Sequence, residues 1–241
     1  MKSLKIFSSF DIRIIAIITM IIDHIGYFFY YALENNEYDI LRSIGRISMP
    51  LFAFLIYQGY KHTKDLKQYI IRVLKFAIIT QVLVIIVGTI INLIDNTYDI
   101  NFYREPNILF SFSISLLYLV ILDNIIKTNN VKKIFINILL ILILFSLYII
   151  LDIEYGFIIP FFITILFLYD KIKYKKALVF SSCVLFLILF GESIMKYSLF
   201  AIIPIYLYNG KKGFSNKKLF YYFYPVQYIL FMIIGFMFYK I

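Results

Sequence analysis

Nine apolar runs, separated by short polar segments, constrain the fold of this chain more than any other feature of its sequence. A helix needs about 20 consecutive apolar residues to cross a bilayer, and lipid offers no partner for an unpaired backbone amide or carbonyl. We therefore predict an all-α, polytopic integral membrane protein with about nine transmembrane helices, built as a single domain over residues 1–241. The sixth to eighth runs are shorter than a full crossing requires. The predicted spans are Ile14–Leu33, Ile44–Tyr60, Tyr69–Ile94, Ile108–Ile126, Ile134–Leu151, Phe157–Tyr169, Ala177–Phe190, Tyr197–Tyr208 and Leu219–Tyr239.

The composition narrows the classes of function. Hydrophobic residues make up 62% of the chain and charged residues only 16%, so polar side chains are too few to cover a water-soluble globule and lipid must surround most of the surface. The net charge of +10 lies in short loops, which argues against a nucleic-acid partner. One cysteine and two histidines cannot build a typical metal site, so we expect no metal.

The distribution of positive charge predicts the orientation of the chain. If the N-terminus is cytoplasmic, 19 of the 24 Lys and Arg residues fall on the inner side of a nine-span arrangement. This bias fits the positive-inside rule with the N-terminus in and the C-terminus out. We expect a multi-pass protein of the bacterial cytoplasmic (inner) membrane, in contact with the lipid bilayer, whose first span is retained because it is too long for a signal peptide.

Ionisable residues inside the first predicted span are the strongest indication of function. A charge within a membrane span is costly, and such residues commonly mark a functional site. His24 lies about eleven residues into the predicted span, near its middle, and Asp23 precedes it. Arg13, Met20 and His24 fall on one helical face, because eleven residues at 100° each complete about three turns. The alternative is a histidine that only hydrogen-bonds a neighbouring helix.

Further candidates for ligand binding follow along the chain. Arg42 and Arg46 are four residues apart and share a helical face, beside Pro50, which would kink or open the helix. This pair either binds a carbonyl, carboxylate or phosphate, or extends to the outer interface. Lys211 and Lys212 lie in a tight turn whose backbone amides and cations suit phosphate, although a basic inner loop explains them equally well. The remaining candidates are Tyr155 in an acidic, glycine-bearing turn, Asn209, Tyr224 and Gln227.

Several of these segments, in order along the chain, resemble the TraX family. The resemblance rests on five stretches of sequence, and it covers nearly the whole chain. They are residues 15–26 (IAIITMIIDHIG), 42–55 (RSIGRISMPLFAFL), 155–156 (YG), 207–213 (LYNGKKG) and 220–225 (FYYFYP). One position departs from the family pattern, which commonly has His where this chain has Gln227.

The resemblance implies an acyltransferase that uses acetyl-CoA as co-substrate, since the family is associated with acetylation of a pilin N-terminus. The TraX family is also similar to a wider group of transmembrane acyltransferases. In some of these, the first helix carries an Arg, ten further residues and then a His, which is the spacing of Arg13 and His24 here. We expect His24 to act as general base, with Asp23 fixing its tautomer indirectly or binding a neighbouring residue. The residues expected to bind acetyl-CoA are Arg13, Arg42, Arg46, Lys211 and Lys212. Arg42 and Arg46 are also expected to hold the acceptor or stabilise the developing oxyanion.

The sequence leaves the acceptor open between a peptide N-terminus and a cell-surface glycan, and it leaves the oligomeric state open. Two other functions are kept as alternatives. A solute transporter or proton-coupled channel would also place ionisable residues at mid-span and use short, broken helices. A non-enzymatic assembly factor would leave the alignment of Arg13 with His24 unexplained.

Overall fold

The fold is all-helical over the residues that this computed structural model describes, which are 5–95, 105–214 and 217–240. Ten α-helices follow one another within these ranges, with short 3₁₀ helices at Tyr30–Ala32 and Ile194–Ala201. The α-helices are α1 (Ser9–Phe28), α2 (Asn35–Gly45), α3 (Ser48–His62), α4 (Leu66–Ile94), α5 (Ile108–Lys127), α6 (Val131–Ile150), α7 (Ile158–Lys171), α8 (Lys175–Phe190), α9 (Ile202–Tyr206) and α10 (Lys217–Tyr239).

Five helical segments among the described residues are long and apolar enough to cross a membrane, so the chain is a multi-pass membrane protein. The count of nine spans and their orientation stay predictions. α1 is as long as α5 but carries three charged residues. The five segments are Asn35–His62, which joins α2 and α3, Leu66–Ile94, Ile108–Lys127, Val131–Ile150 and Tyr222–Tyr239.

The position of α1 corrects the first predicted span. The helix begins at Ser9, not Ile14, because Ser8 and Asp11 form a capping box in which each side chain accepts from the other residue's backbone amide. It ends at Phe28, five residues before the predicted end. His24 therefore lies about 6 Å from the C-terminal end of α1, at 1.5 Å per residue, and not at mid-helix.

The second predicted span is two helices rather than one. A polar helix, α2, begins at Asn35, well before the predicted start at Ile44, and α3 takes over at Ser48. Pro50 lies in the first turn of α3, where a missing backbone N–H costs nothing. The predicted effect of Pro50 is thus confirmed as a break in the helix just before it, at Arg46 and Ile47.

Helix α1 carries two of the predicted site residues, Asp23 and His24. It packs against α2, α3 and α10, and α10 also contacts α4. A separate core joins α3, α4, α5 and α7 around Met49, Leu116 and Ile163, all of which are fully buried. α6 and α8 present large apolar side chains outward, as lipid-facing helices do. Asp23 of α1 is accordingly buried by protein, with 5% of its surface exposed.

Candidate functional site

A polar cavity of about 210 Å³ lies beside the C-terminal half of α1. This volume admits a few reacting atoms but is small for a whole cofactor, since ligand pockets usually span roughly 300–1,000 Å³. Side chains from α1, α2, α4, α10, the 3₁₀ helix Ile194–Ala201 and two connecting segments meet there. The lining residues are Asp23, His24, Tyr27, Arg42, Arg46, Gln81, Val84, Glu105, Pro106, Asn107, Glu154, Tyr155, Met195 and Tyr228.

His24 is held by Gln227 from the last helix. Nδ1 of the His24 ring lies 3.0 Å from Oε1 and 2.8 Å from Nε2 of the Gln227 amide. The amide can therefore accept from a protonated Nδ1 or donate to a bare one. Ring edges of Phe28 and Tyr228 pack on the imidazole, with centroids 5.9 Å and 5.3 Å away. Within the described part of the chain, no residue hydrogen-bonds to Nε2 of His24, so that nitrogen is available to a ligand.

Asp23 does not contact His24 but binds two arginines. Its Oδ2 accepts from the Arg42 guanidinium at 2.7 Å, and its Oδ1 accepts from that of Arg46. Asp23 and Arg46 are only 5% and 3% exposed. This arrangement follows from helix geometry, because neighbouring residues on a helix point about 100° apart. Of the two roles predicted for Asp23, the structure places it where it binds neighbouring residues.

The Asp23, Arg42 and Arg46 group has one more positive than negative charge. Arg46 also donates from Nε to the carbonyl of Arg42 at 3.2 Å, whereas Nε of Arg42 is buried without a partner among the described residues. Tyr27 covers Arg42 and Tyr155 covers Arg46, at 4.9 Å and 5.5 Å from ring centroid to guanidinium carbon. An unused donor and an excess of positive charge together suit a carbonyl oxygen that becomes negative during a reaction.

The connection between α6 and α7 brings Tyr155 and Glu154 to the cavity. Tyr155 has φ 63° and Asp152 has φ 46°, a left-handed conformation that costs energy for residues other than glycine. The loop is fixed to α5, because the Ser111 hydroxyl donates to the carbonyl of Glu154 and the Glu154 amide donates to the carbonyl of Pro106. Strained residues held in this way commonly serve a functional site.

Sequence reasoning missed Glu154. Burial raises the pKa of the Glu154 carboxyl to about 7, although Arg46 acts to lower it. The only sequence signal was the acidic turn that contains it, where Tyr155 drew attention instead. Tyr27 and Tyr228 were missed as well, since tyrosine is abundant in this chain, with 22 residues, and no single one stands out.

Arg13, Lys211 and Lys212 lie away from the cavity, near the N-terminal end of α1. Arg13 precedes His24 by about 16 Å along the helix, at 1.5 Å per residue. Residues 207–213 pair with the segment before α1 and with the first residues of α1. Ser9 and Phe10 donate from their amides to the carbonyls of Lys211 and Lys212, at 2.8 Å and 3.2 Å. The two lysine side chains are exposed. Because their turn pairs with the start of α1, three of the predicted cofactor-binding cations lie at the same end of the bundle.

Asn209 and Gly213 explain why this turn stays beside α1. The Asn209 side chain donates to the carbonyl of Ile6 and accepts from the amide of Lys211. Gly213 has φ 68°, and a Cβ added there would lie 2.3 Å from the Ser8 hydroxyl. Asn209 is therefore structural in this fold. Tyr224, by contrast, is near the cavity, with its ring centroid 6.4 Å from that of His24.

Comparison with known proteins identifies relatives of the whole chain. A family model described as "TraX protein" matches residues 9–235. A protein of Dichelobacter nodosus described as "Probable fimbrial assembly protein FimC, serogroup H1" is 26% identical over 237 residues, which cover 92% of this chain and 93% of the relative. No solved structure matches the chain.

Proposed function

Because this chain belongs to the TraX family, which is linked to pilin acetylation, we propose that it is a membrane-embedded acyltransferase. It moves an acetyl group from acetyl-CoA to an amine or hydroxyl acceptor. The observation that carries this proposal is the geometry of His24. Gln227 holds Nδ1 of the ring, which leaves Nε2 for the reaction, and the Asp23–Arg42–Arg46 group lies in the same cavity.

His24 acts as the general base. When Nδ1 carries the ring proton and donates a hydrogen bond to Oε1 of Gln227, Nε2 has a free lone pair. Nε2 takes the proton of the acceptor as the acceptor nitrogen or oxygen attacks the thioester carbonyl. The new bond to the carbonyl carbon forms, the carbon–sulfur bond breaks, and the imidazolium returns its proton to the coenzyme A thiolate.

Arg42 and Arg46 stabilise the carbonyl oxygen during this step. The oxygen gains negative charge in the transition state, and donors that are already fixed in place lower the barrier most. Asp23 fixes both guanidinium groups by two ion pairs, so little reorganisation is needed. Asp23 is thus a positioning residue in this mechanism, and it acts through the arginines.

Acetyl-CoA approaches from the opposite end of the bundle. Arg13, Lys211 and Lys212 lie there, and their cations suit the phosphates of the coenzyme. The distance of about 16 Å from Arg13 to His24 along α1 is of the order that the long arm of the coenzyme covers. In the proposed orientation this end faces the cytoplasm of a bacterium, where acetyl-CoA is made.

A peptide N-terminus is the first acceptor to test. The relative in Dichelobacter nodosus is described as a probable fimbrial assembly protein, which points to a pilin-like chain as the acceptor of the present protein. A cell-surface glycan is the second. The cavity takes only the end of either acceptor, because its volume is about 210 Å³.

The test compares two histidine variants of the purified, reconstituted protein. His24→Ala should lower acetyl transfer by about 10²–10⁴-fold, the usual contribution of a general base, and leave acetyl-CoA binding unchanged. His62→Ala is the matched control, because His62 is exposed at the end of α3 and should change neither. Transfer at the wild-type rate by folded His24→Ala protein would rule out the mechanism.

Arg13→Ala tests the approach of the coenzyme separately. It should weaken acetyl-CoA binding while the fold stays intact.

A further inference from the structure

Glu154 is one of two carboxyl groups lining the cavity that the mechanism above does not use, the other being Glu105. Glu154 comes from the strained loop between α6 and α7 and lines the same cavity as His24. Within the described residues no lysine or arginine nitrogen lies within the 4.0 Å of an ion pair with its carboxylate. The backbone amide of Ile108, the first residue of α5, lies close enough to the carboxyl group to lower its pKa.

A carboxylate at the N-terminus of α5 has a simple structural explanation, because it complements the helix dipole by about 0.3–1 kcal/mol. That explanation does not require a polar cavity on the other side of the carboxylate. Asn107 already caps α5, since its side chain accepts from the amide of Leu109 at 3.1 Å. The remaining lone pairs of Glu154 are therefore open to a ligand in the cavity.

The charge of this ligand follows from the proton balance of acetyl transfer. A hydroxyl acceptor loses one proton in the reaction, and His24 can take it. An amine enters as an ammonium group at neutral pH, because the ordinary pKa of an α-amino group is about 7.7–8.0. It must lose two protons, one before it can attack and one as the new bond forms. A single base cannot hold both.

We propose that Glu154 is a second proton acceptor of the site, which binds the ammonium group of an amine acceptor and deprotonates it before His24 acts. This inference rests on the proposed acyltransferase function. The Glu154 carboxylate takes one N–H proton and becomes a carboxylic acid, and the free amine keeps its electron pair for the attack on the thioester. His24 takes the second proton during that attack. Glu154 then loses its proton to water at the mouth of the cavity.

The charged and titratable groups around Glu154 come from four sides. Burial raises its pKa to about 7, Arg46 and Arg42 lower it, and Asp23 raises it. A pKa near that of the ammonium group makes the transfer of a proton between them nearly balanced. The groups facing it are Asp23, His24 and Tyr27 on α1, Arg42 and Arg46 on and after α2, Glu105 before α5, Tyr155 in its own loop, and Tyr224 and Tyr228 on α10.

The experiment uses two acceptors that differ only in the attacking group, alaninamide and lactamide, with acetyl-CoA and the full-length reconstituted protein. Glu154→Gln keeps the size and one carbonyl oxygen of the side chain but cannot take a proton. At pH 7 about a tenth of an amine with pKa about 8 is free, and at pH 9 most of it is free. The variant should therefore lose about tenfold in rate on alaninamide at pH 7 and nearly nothing at pH 9. Its rate on lactamide should equal the wild-type rate at both pH values, which also demonstrates that it is folded.

Asp152→Asn is the matched control. It removes a carboxylate from the same loop at an exposed position whose left-handed backbone asparagine tolerates, and it should leave both acceptors unaffected. Equal losses by Glu154→Gln on both acceptors, or no loss on alaninamide at pH 7, would overturn the role of Glu154 alone. A wild-type protein that acetylates neither acceptor would overturn the proposed function and this inference with it.

Discussion

Gln227 stands where the family resemblance leads us to expect a histidine, and the structure shows which residue this side chain contacts. Its amide lies within hydrogen-bonding distance of Nδ1 of His24. A histidine there could orient His24 and also carry a proton, whereas an amide can only orient it. In the proposed reaction, Gln227 would therefore fix the ring and its tautomer, and proton transfer would fall to His24 alone on this side of the cavity.

Gln227→Leu should lower the rate of acetyl transfer by about 10–100-fold, the effect usually seen when the partner that orients a metal-bound histidine is removed. Leucine is similar in size but cannot accept from Nδ1, so Nε2 would carry the ring proton in part of the molecules. Gln227→His should restore most of the rate. Val226→Ala is the control, since Val226 is 63% exposed on the same helix. Steady-state rates of all three variants test the role of Gln227, and a wild-type rate for Gln227→Leu would refute it.

The sequence predicted the individual residues of the site better than their contacts. Charges within an apolar span identified Asp23 and His24, and spacing placed Arg42 and Arg46 on one face. That both arginines meet Asp23 depends on how closely α2 approaches α1, which no local pattern encodes. Glu154 shows the same limit, because it reaches the cavity through a loop whose path is set by contacts with α5.

The contact between α1 and α2 depends on a missing side chain. A Cβ added to Gly45 would lie 2.1 Å from Oδ1 of Asp23, closer than atoms can approach. Gly26 plays a lesser part, since its Cβ would meet Leu41 and Arg42 at 3.1 Å and 3.2 Å. Glycine at position 45 thus allows the carboxylate of one helix to lie against the backbone of the other, and this places it between the two arginines.

Gly45→Ala should destabilise the protein by roughly 1–3 kcal/mol, the usual cost of overpacking a buried contact. Helix propensity alone predicts the opposite sign, because alanine is favoured over glycine in a helix by about 1 kcal/mol. Thermal unfolding in detergent decides between them. Ile40→Ala, at a position of α2 that is 60% exposed, should unfold close to the wild-type temperature. An unchanged or higher unfolding temperature for Gly45→Ala would show that α2 can move away from Asp23 at little cost.

Helix ends were predicted well where apolar runs stop at loops and poorly where a polar helix extends a run. The predicted fourth span ends within one residue of α5, at Ile126 against Lys127. The start of α2 was missed because hydropathy detects lipid-facing segments and not helices as such. The signal for it was local instead. Glu34 and Glu37 form a capping box at the start of α2.

At the scale of the whole molecule, the two groups of predicted site residues separate to opposite ends of α1. The cavity lies near its C-terminal end, and Arg13 with Lys211 and Lys212 near its N-terminal end. The ends of other helices are held together by ion pairs, as between Lys61 and Asp170. Such a division suits an enzyme that receives its two substrates from different sides of a membrane.

The eighth predicted span is one of three short spans on which a count of nine crossings depends. It corresponds to the 3₁₀ helix Ile194–Ala201 followed by α9, thirteen residues in all. A 3₁₀ helix rises about 2.0 Å per residue and an α-helix about 1.5 Å, so this segment is about 23 Å long. The hydrocarbon core of a bilayer is about 30 Å thick. The 3₁₀ geometry makes the segment longer than an α-helix of thirteen residues would be, but it is still about 7 Å shorter than the hydrocarbon core. The segment can cross only if the bilayer thins around it.

Single cysteines test this topology, in a background in which Cys183, the only cysteine of the chain, is replaced by serine. Asp39→Cys, Asn129→Cys and Glu192→Cys all lie at exposed positions between apolar segments. With nine spans and a cytoplasmic N-terminus, a membrane-impermeant maleimide should label positions 39 and 192 in intact cells and position 129 only after permeabilisation. Position 192 tests the short late segments, because it reaches the outer face only if α8 crosses the bilayer. Labelling at 39 but not at 192 would reduce the number of spans while leaving the cavity around His24 unchanged.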